Sequence, residues 1–434
     1  MNRIKNNMIT IDIFFYMGML LITFDSFPFA RYGLGSGKPL SIIPLIIYIV
    51  IKTADTYKKK IVVNLNTFLI ISLGVLILVD SLCKGVLIYD DLSGFSRAFN
   101  MFAAFFVTFW GMELFSQKAD RNAILKMFTY IYKSFTIALF FGVLEFVYFY
   151  IAKIEIIKEF ILLFVRDDIY LSVSKLQFNF GEAGNTGVML GILFPLTLLC
   201  LKRLDYKFTK KDFLKIGSIY FLSIFSLSLN YLIIILLLAI GKILIGNQKY
   251  KKIKVGLISL LIISCIIFIG VISSDWFRTM AVNSDSRLLP MLADYTKISQ
   301  DGSIQTRLGS TQISLHSFIR KPFLGYGWGY YAYAFRENFD CVNTLFKSWE
   351  LIGDLKYDDL QNFGFIFSIL SEAGILGICF FISLIARMKK CPQYLKPFIA
   401  VIIVEMLQNV FIYWISLIVA FYICTSSSIK RYLE

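Results

Sequence analysis

Ile253 to Ile272 reads IKVGLISLLIISCIIFIGVI, a twenty-residue run whose one charge is Lys254. About 20 apolar residues in a helix cross the roughly 30 Å of hydrocarbon in a bilayer. A membrane strand would alternate apolar and polar residues at period two, so a continuous run of this kind excludes a barrel. Outward from this stretch the rest of the chain repeats the pattern. Of 434 residues 57% are hydrophobic, and the mean hydropathy is +0.70. The expected fold class is therefore all-α: a polytopic integral membrane helical bundle.

Basic residues orient it, because loops rich in Lys and Arg stay on the cytoplasmic side. Seven clusters hold 27 of the 44 basic residues and only five acids. They are Arg3 and Lys5; Lys52 with Lys58 to Lys60; Lys118 to Lys133; Lys202 to Lys215; Lys242 to Lys254; Arg387 to Lys396; and Lys430 with Arg431. The formal charge of +15 thus reads as topology, and nucleic acid is not an expected partner. Phe213–Ile245 is flanked by basic clusters at both ends, so it must cross an even number of times, turning near Ser226 to Asn230. Pro397–Thr425 splits likewise near Gln408 and Asn409.

The sum is about twelve spans with both termini cytoplasmic. They lie near residues 8 to 30, 39 to 54, 66 to 83, 95 to 116, 131 to 152, 184 to 201, 213 to 228, 230 to 246, 253 to 273, 362 to 386, 397 to 410 and 411 to 428. Met8–Ala30 runs straight into further spans and reads as a first anchor, not a cleavable signal. Three regions follow: an N-terminal bundle of about nine spans (1–273), a large extracytoplasmic loop (274–361), and about three C-terminal spans (362–434). A second polar stretch, Lys153–Phe180, is amphipathic and is expected along the outer interface.

The large loop is where chemistry is expected. Within it Thr306–Gly329 reads TRLGSTQISLHSFIRKPFLGYGWG: an arginine, a fifteen-residue step to a proline, then a glycine-rich aromatic turn. Seven cysteines show no disulfide framework or metal-ligand spacing, and the single histidine, His316, has no Cys or His partner at usable spacing, so no metal or cofactor is expected. Asp12, Asp80, Glu113, Glu145, Glu372 and Glu405 lie in or near spans, where an ionised group is costly unless paired or wet. Scattered over six spans with no common depth, they are expected to pair between helices or snorkel.

Arg307, the helix-like stretch to Ile319, and Lys321-Pro322-Phe323-Leu324-Gly325-Tyr326-Gly327-Trp328-Gly329 resemble the signature of the O-antigen polymerase and ligase superfamily. There an arginine precedes a helix ending in Pro-x-x-Gly-x-Gly. The exit span NFGFIFSILSEAGILG, Asn362–Gly377, is similar to the family segment after that loop. Two departures stand out: Gln361-Asn362 where the ligases carry His-Asn, and Leu227-Ser228-Leu229-Asn230 where many members have Ser-Arg. The missing histidine favours a Wzy-type polymerase over a ligase.

The resemblance implies polymerisation of lipid-linked repeat units, for an O-antigen or a capsular or exopolysaccharide, at the outer face of a bacterial cytoplasmic membrane. Polyprenyl-pyrophosphate-linked glycans and membrane lipid would be the partners, with a chain-length regulator protein. A departing pyrophosphate suits a guanidinium, which stays charged and offers paired donors. Arg307 is the first choice, with Arg278, Arg287, Arg320, Lys321 and Arg336 as other cations and Asn362 at the start of the exit span. An acceptor hydroxyl needs a base; Glu182, Asp358 and Asp359 are carboxylates that could serve, or could equally cap helices. Tyr326 and Trp328, with Tyr330, Tyr331 and Tyr333, could stack on sugars or anchor the loop at the interface. The rival readings are a ligase and a non-catalytic flippase or exporter.

Overall fold

The computed structural model describes residues 2–24, 39–56, 64–164, 176–180, 183–226, 228–245, 302–347, 349–357, 360–362, 364–389, 391–408 and 414–434. Within them the regular elements are helices and no strand occurs. In chain order these are α1 (Asn2–Leu20), α2 (Ile42–Thr56), α3 (Leu65–Lys84), α4 (Ser93–Lys118), α5 (Arg121–Phe146), α6 (Glu155–Leu162), α7 (Ala183–Val188), α8 (Phe194–Arg203), α9 (Lys210–Ile224) and α10 (Leu229–Ile245). They continue as α11 (Gly302–Arg320), α12 (Tyr331–Asn338), α13 (Trp349–Asp354), α14 (Phe365–Met388), α15 (Lys396–Gln408), α16 (Ile415–Thr425) and α17 (Ser427–Leu433). Single wide turns extend α3 to Tyr89 and α5 to Ile151, and join α7 to α8.

Five helical stretches among the described residues are long and apolar enough to cross a bilayer: Leu65–Tyr89, Ser93–Lys118, Arg121–Ile151, Asn185–Arg203 and Phe365–Met388. They mark the chain as a helical membrane protein. The larger of two apolar clusters among the described residues runs from Phe15 through Phe105, Phe135 and Phe194 to Tyr422, and a smaller one gathers Ile313, Tyr326, Tyr331, Phe335 and Leu351. Helix α16 lies wholly inside the larger, every residue from Ile415 to Thr425 being buried. The expected span at 253–273 lies outside the described residues.

Helix ends follow local chemistry. Asp120 accepts from the Ala123 N–H at 2.7 Å, so α5 starts at Arg121 rather than near 131, carrying Lys126 and Lys133 exposed on its side. The block 213–245 is broken between Phe225 and Ser228. Serine hydroxyls there compete for the backbone: Ser226 donates to the Ser223 carbonyl at 2.7 Å, and Ser228 accepts from the Tyr231 N–H at 3.4 Å. The Phe225 carbonyl accepts from the Leu176 N–H at 3.1 Å.

That last bond belongs to a segment the sequence placed at the surface. Helix α6 is amphipathic, with Ile156 exposed and Ile161 buried, but Leu176–Phe180 is buried throughout. The cause is Glu145, whose carboxylate takes the N–H groups of Gln177 and Phe178 at 2.7 and 2.8 Å. Thr23 ties the same segment to α1 and α5, accepting from Asn179 at 3.1 Å and meeting Ser134 at 2.7 Å.

All six carboxylates placed in or near spans find partners. Asp12 pairs with Lys52 at 2.9 Å and Asp80 with Lys84 at 2.7 Å. Glu405 accepts from Asn230 at 3.2 Å, and Glu372 binds the glycine turn of the 302–347 segment. Glu113 holds Arg387 at 2.9 Å, and the guanidinium packs against the rings of Phe109 and Tyr422, 4.8 and 4.9 Å from their centres. Thr67, Thr425 and the Tyr422 hydroxyl complete that network. An ion pair this deep is tolerated because further hydrogen bonds accompany the pairing, so that each nitrogen of the guanidinium donates one.

Basic clusters meet at one end of the bundle. Arg121 pairs with Asp205, and the Arg203 guanidinium lies 4.3 Å from the Tyr394 ring. The start of α5, the end of α8 and the segment before α15 therefore share an end. The glycine turn sits against the other end of α3 and α4.

Candidate functional site

Helix α11 places Arg307. Its buried positions are Thr306, Gly309, Ser310, Ile313, Ser314 and Ser317, a stripe at the helical period. These small residues let α11 lie close to α14. The Ser314 and Ser317 hydroxyls bond back to the carbonyls of Ser310 and Ile313 at 2.9 and 2.7 Å. Arg307 is exposed at the edge of that stripe, one and two turns before Ser310 and Ser314, and on the far side Leu308, Leu315 and Ile319 form an exposed apolar row that continues to Phe323.

The turn after Pro322 is spliced into α14. Gly374 has φ of +58° and ψ of −139°, which breaks that helix. An unbroken α-helix would join the N–H groups of Ile375 and Leu376 to the carbonyls of Ser371 and Glu372. Instead Ile375 donates to Pro322 at 2.7 Å and Leu376 to Phe323 at 3.4 Å. The two freed carbonyls accept from Tyr326 at 3.0 Å and Gly327 at 2.7 Å. The loop thus supplies partners to both halves of the interrupted ladder, two acceptors and two donors.

Gly325, Gly327 and Gly329 all have positive φ, which lets the turn reverse tightly enough to reach α14. Its carbonyls are taken one by one. Lys84 donates to those of Leu324 and Gly325 at 2.6 and 3.1 Å, Tyr89 to Tyr326 at 2.8 Å, and Ser81 to Trp328 at 2.6 Å. Arg97 donates to Gly329 at 2.9 Å, and the Tyr330 hydroxyl to Asp91. The Glu372 carboxylate closes the turn, one oxygen accepting from the Gly329 N–H and the other from Ser368 at 2.6 Å.

Tyr326 and Trp328 lie inside this construction, fully buried. The Tyr326 ring packs under the Lys321 ammonium at 3.8 Å, its hydroxyl accepts from Asn338 at 3.0 Å, and burial pushes it up to about 12. Trp328 meets Phe102 edge-on. Of the rings proposed for sugar stacking, Tyr326, Trp328, Tyr330 and Tyr331 are buried, while Tyr333 is half-buried and stacks on Tyr89. Arg320 and Lys321 both reach Glu337, at 3.8 and 3.2 Å, and Arg336 donates to the carbonyls of Leu355 and Tyr357. Asn362 is buried, donating to Ser314 and accepting from the Gly364 N–H at 3.0 Å, so it pins the start of α14 to α11. His316 is exposed on α11.

Arg278, Arg287, Glu182, Asp358 and Asp359 lie outside the described residues. Among the described ones no three His, Cys, Asp or Glu side chains converge as metal ligands. Sequence reasoning missed Lys84, Arg97 and Ser81, whose role is set by a loop more than 200 residues away. Gly374 is legible in the sequence only as a residue of the exit span Asn362–Gly377. A cavity of about 10 Å³, room for one water, lies beside the turn, lined by Met101, Gly329, Tyr331, Asn362, Ser368 and Glu372 and reaching Gln361 and Leu360.

Comparison of the chain with models of known families and with curated proteins finds no match.

Proposed function

We propose that this chain is a polysaccharide polymerase, transferring a growing glycan from polyprenyl pyrophosphate to a sugar hydroxyl of the next lipid-linked unit. In this reading about twelve spans cross a bacterial cytoplasmic membrane with both termini inside. The end gathering Arg121, Arg203 and Tyr394 faces the cytoplasm, by the rule that retains basic residues there. The glycine turn and α11 then face outward.

The observation that carries the reading is on α11: an exposed arginine, Arg307, next to the exposed apolar row Leu308, Leu315 and Ile319. A charge set against an apolar row suits an amphiphile with a phosphate head and a hydrocarbon tail. The splice into α14 holds that helix at a fixed height on the bundle. Pyrophosphate leaves as a stabilised anion, and a fixed guanidinium favours the charge that develops on it. A chain-length regulator is the partner implied by the same reading.

Purified protein in vesicles with labelled lipid-linked repeat units tests it. A polymerase builds a ladder of products longer than one unit. Movement of units across the bilayer without lengthening identifies a flippase, and transfer only to a different acceptor identifies a ligase.

A further inference from the structure

We infer that Glu372 is the proton acceptor for the attacking sugar hydroxyl, working through a water in the cavity it shares with Ser368, Asn362 and Gly329. The inference rests on the polymerase reading and names the base within it.

Three observations support it. Glu372 is buried, yet its carboxylate lines a cavity that reaches exposed Gln361. Gly329 and Ser368 occupy one position on each oxygen, and an ionised carboxylate has about four lone-pair sites, so acceptor capacity is left for a further donor. The cavity, about 10 Å³, is at the lower limit for one water, and although its lining is mainly apolar it carries the polar side chains of Gln361, Asn362, Ser368 and Glu372. Among the described residues the charged and titratable groups facing Glu372 are Arg97 from α4 and Tyr331 from the loop. From α11 the neighbours of that region are the neutral Ser310, on the Tyr331 hydroxyl, and Ser314, on Asn362.

In the step, the acceptor oxygen bonds the anomeric carbon as its O–H bond breaks, and the proton passes through the cavity water to Glu372. The bond from the anomeric carbon to the pyrophosphate oxygen breaks, and its electron pair leaves on that oxygen. Glu372 then returns the proton to solvent at the Gln361 mouth.

The test is the initial rate of ladder growth in vesicles between pH 5 and 9, for wild type, Glu372→Gln, Glu372→Asp and Arg307→Ala. The amide oxygen of Gln can still accept from Gly329, so the turn is retained, and the unfolding temperature in detergent checks this. A base predicts that Glu372→Gln slows extension on the order of 10²-fold or more. It also predicts that the acid-side fall of the wild-type profile is absent from the residual rate. Glu372→Gln with the wild-type rate and profile, beside an inactive Arg307→Ala, overturns the base while leaving the polymerase reading intact. No extension by wild type overturns that reading itself. Should Glu372→Gln not fold, an apolar carbodiimide on wild type decides: modification of Glu372, mapped by mass spectrometry, is expected to track loss of extension. Full modification with unchanged extension overturns the assignment.

Discussion

The Ile375 N–H donates to the carbonyl of Pro322 at 2.7 Å, a bond that an unbroken α14 would make to Ser371. Height and tilt of α11 on the bundle are thereby set by backbone hydrogen bonds, which side-chain rearrangement cannot easily shift.

Gly374→Ala is expected to destabilise the protein by about 1–3 kcal/mol, the cost of forcing a side chain into a φ of +58°. The added methyl would also meet the backbone of Pro322 and Phe323. Gly353→Ala, with nothing within 4 Å of the new methyl, is the control and is expected within about 0.5 kcal/mol of wild type. Thermal unfolding in detergent, read by tryptophan fluorescence, measures both.

Glu113→Gln is expected to cost about 3–5 kcal/mol, because it leaves the Arg387 guanidinium buried without its counter-charge. Replacing both together, Glu113→Gln with Arg387→Met, is expected to recover part of that loss. A double variant less stable than the sum of its single variants would contradict the pairing.

Arg307→Ala and Arg307→Lys are both expected to lose most chain extension while membrane abundance stays normal, since an ammonium cannot reproduce a paired contact to phosphate. Quantifying ladders against the amount of protein in the vesicles measures this. Wild-type extension by both variants removes Arg307 from the site.

Acid is expected to loosen the start of α4. The Ser93 hydroxyl, and then its backbone N–H, bond to Asp91 and hold its carboxyl below the usual carboxylate range. A depressed folded value means the stabilisation is complete above the unfolded carboxylate value, about 3.9, and is lost as pH falls through the folded one. Asp91→Asn should lower the unfolding temperature at neutral pH, with the gap to wild type closing below about pH 4. A gap that persists there would count against Asp91.

Pairing of the membrane-embedded carboxylates shows what a one-dimensional reading carries. That Glu113 and Glu145 need partners follows from the cost of a charge in hydrocarbon. The identity of the partners does not: Arg387 is 274 positions from Glu113, and the Glu145 partners are backbone N–H groups of Gln177 and Phe178. Leu176–Phe180 carries Gln177 and Asn179 among apolar residues and reads as an interfacial strip, because nothing local reveals that a buried carboxylate recruits its backbone. The aromatic turn behaves similarly. Its glycines announce a tight reversal, but only the break at Gly374 creates the open carbonyls that draw it inward and bury Tyr326 and Trp328.

By itself the amino-acid order determined the all-helical membrane class, the break within 213–245, and the placing of Arg307 before a proline and a glycine turn, because hydropathy, charge and glycine act over neighbouring residues. Only the tertiary structure decided that the turn completes the ladder of α14, that Lys84 and Arg97 serve its carbonyls, and that Glu372 lines a water-sized cavity. Those outcomes depend on backbone groups left open by one helix being satisfied by a segment far away in the chain, and a hydrogen bond between distant residues leaves no periodic mark in a sequence.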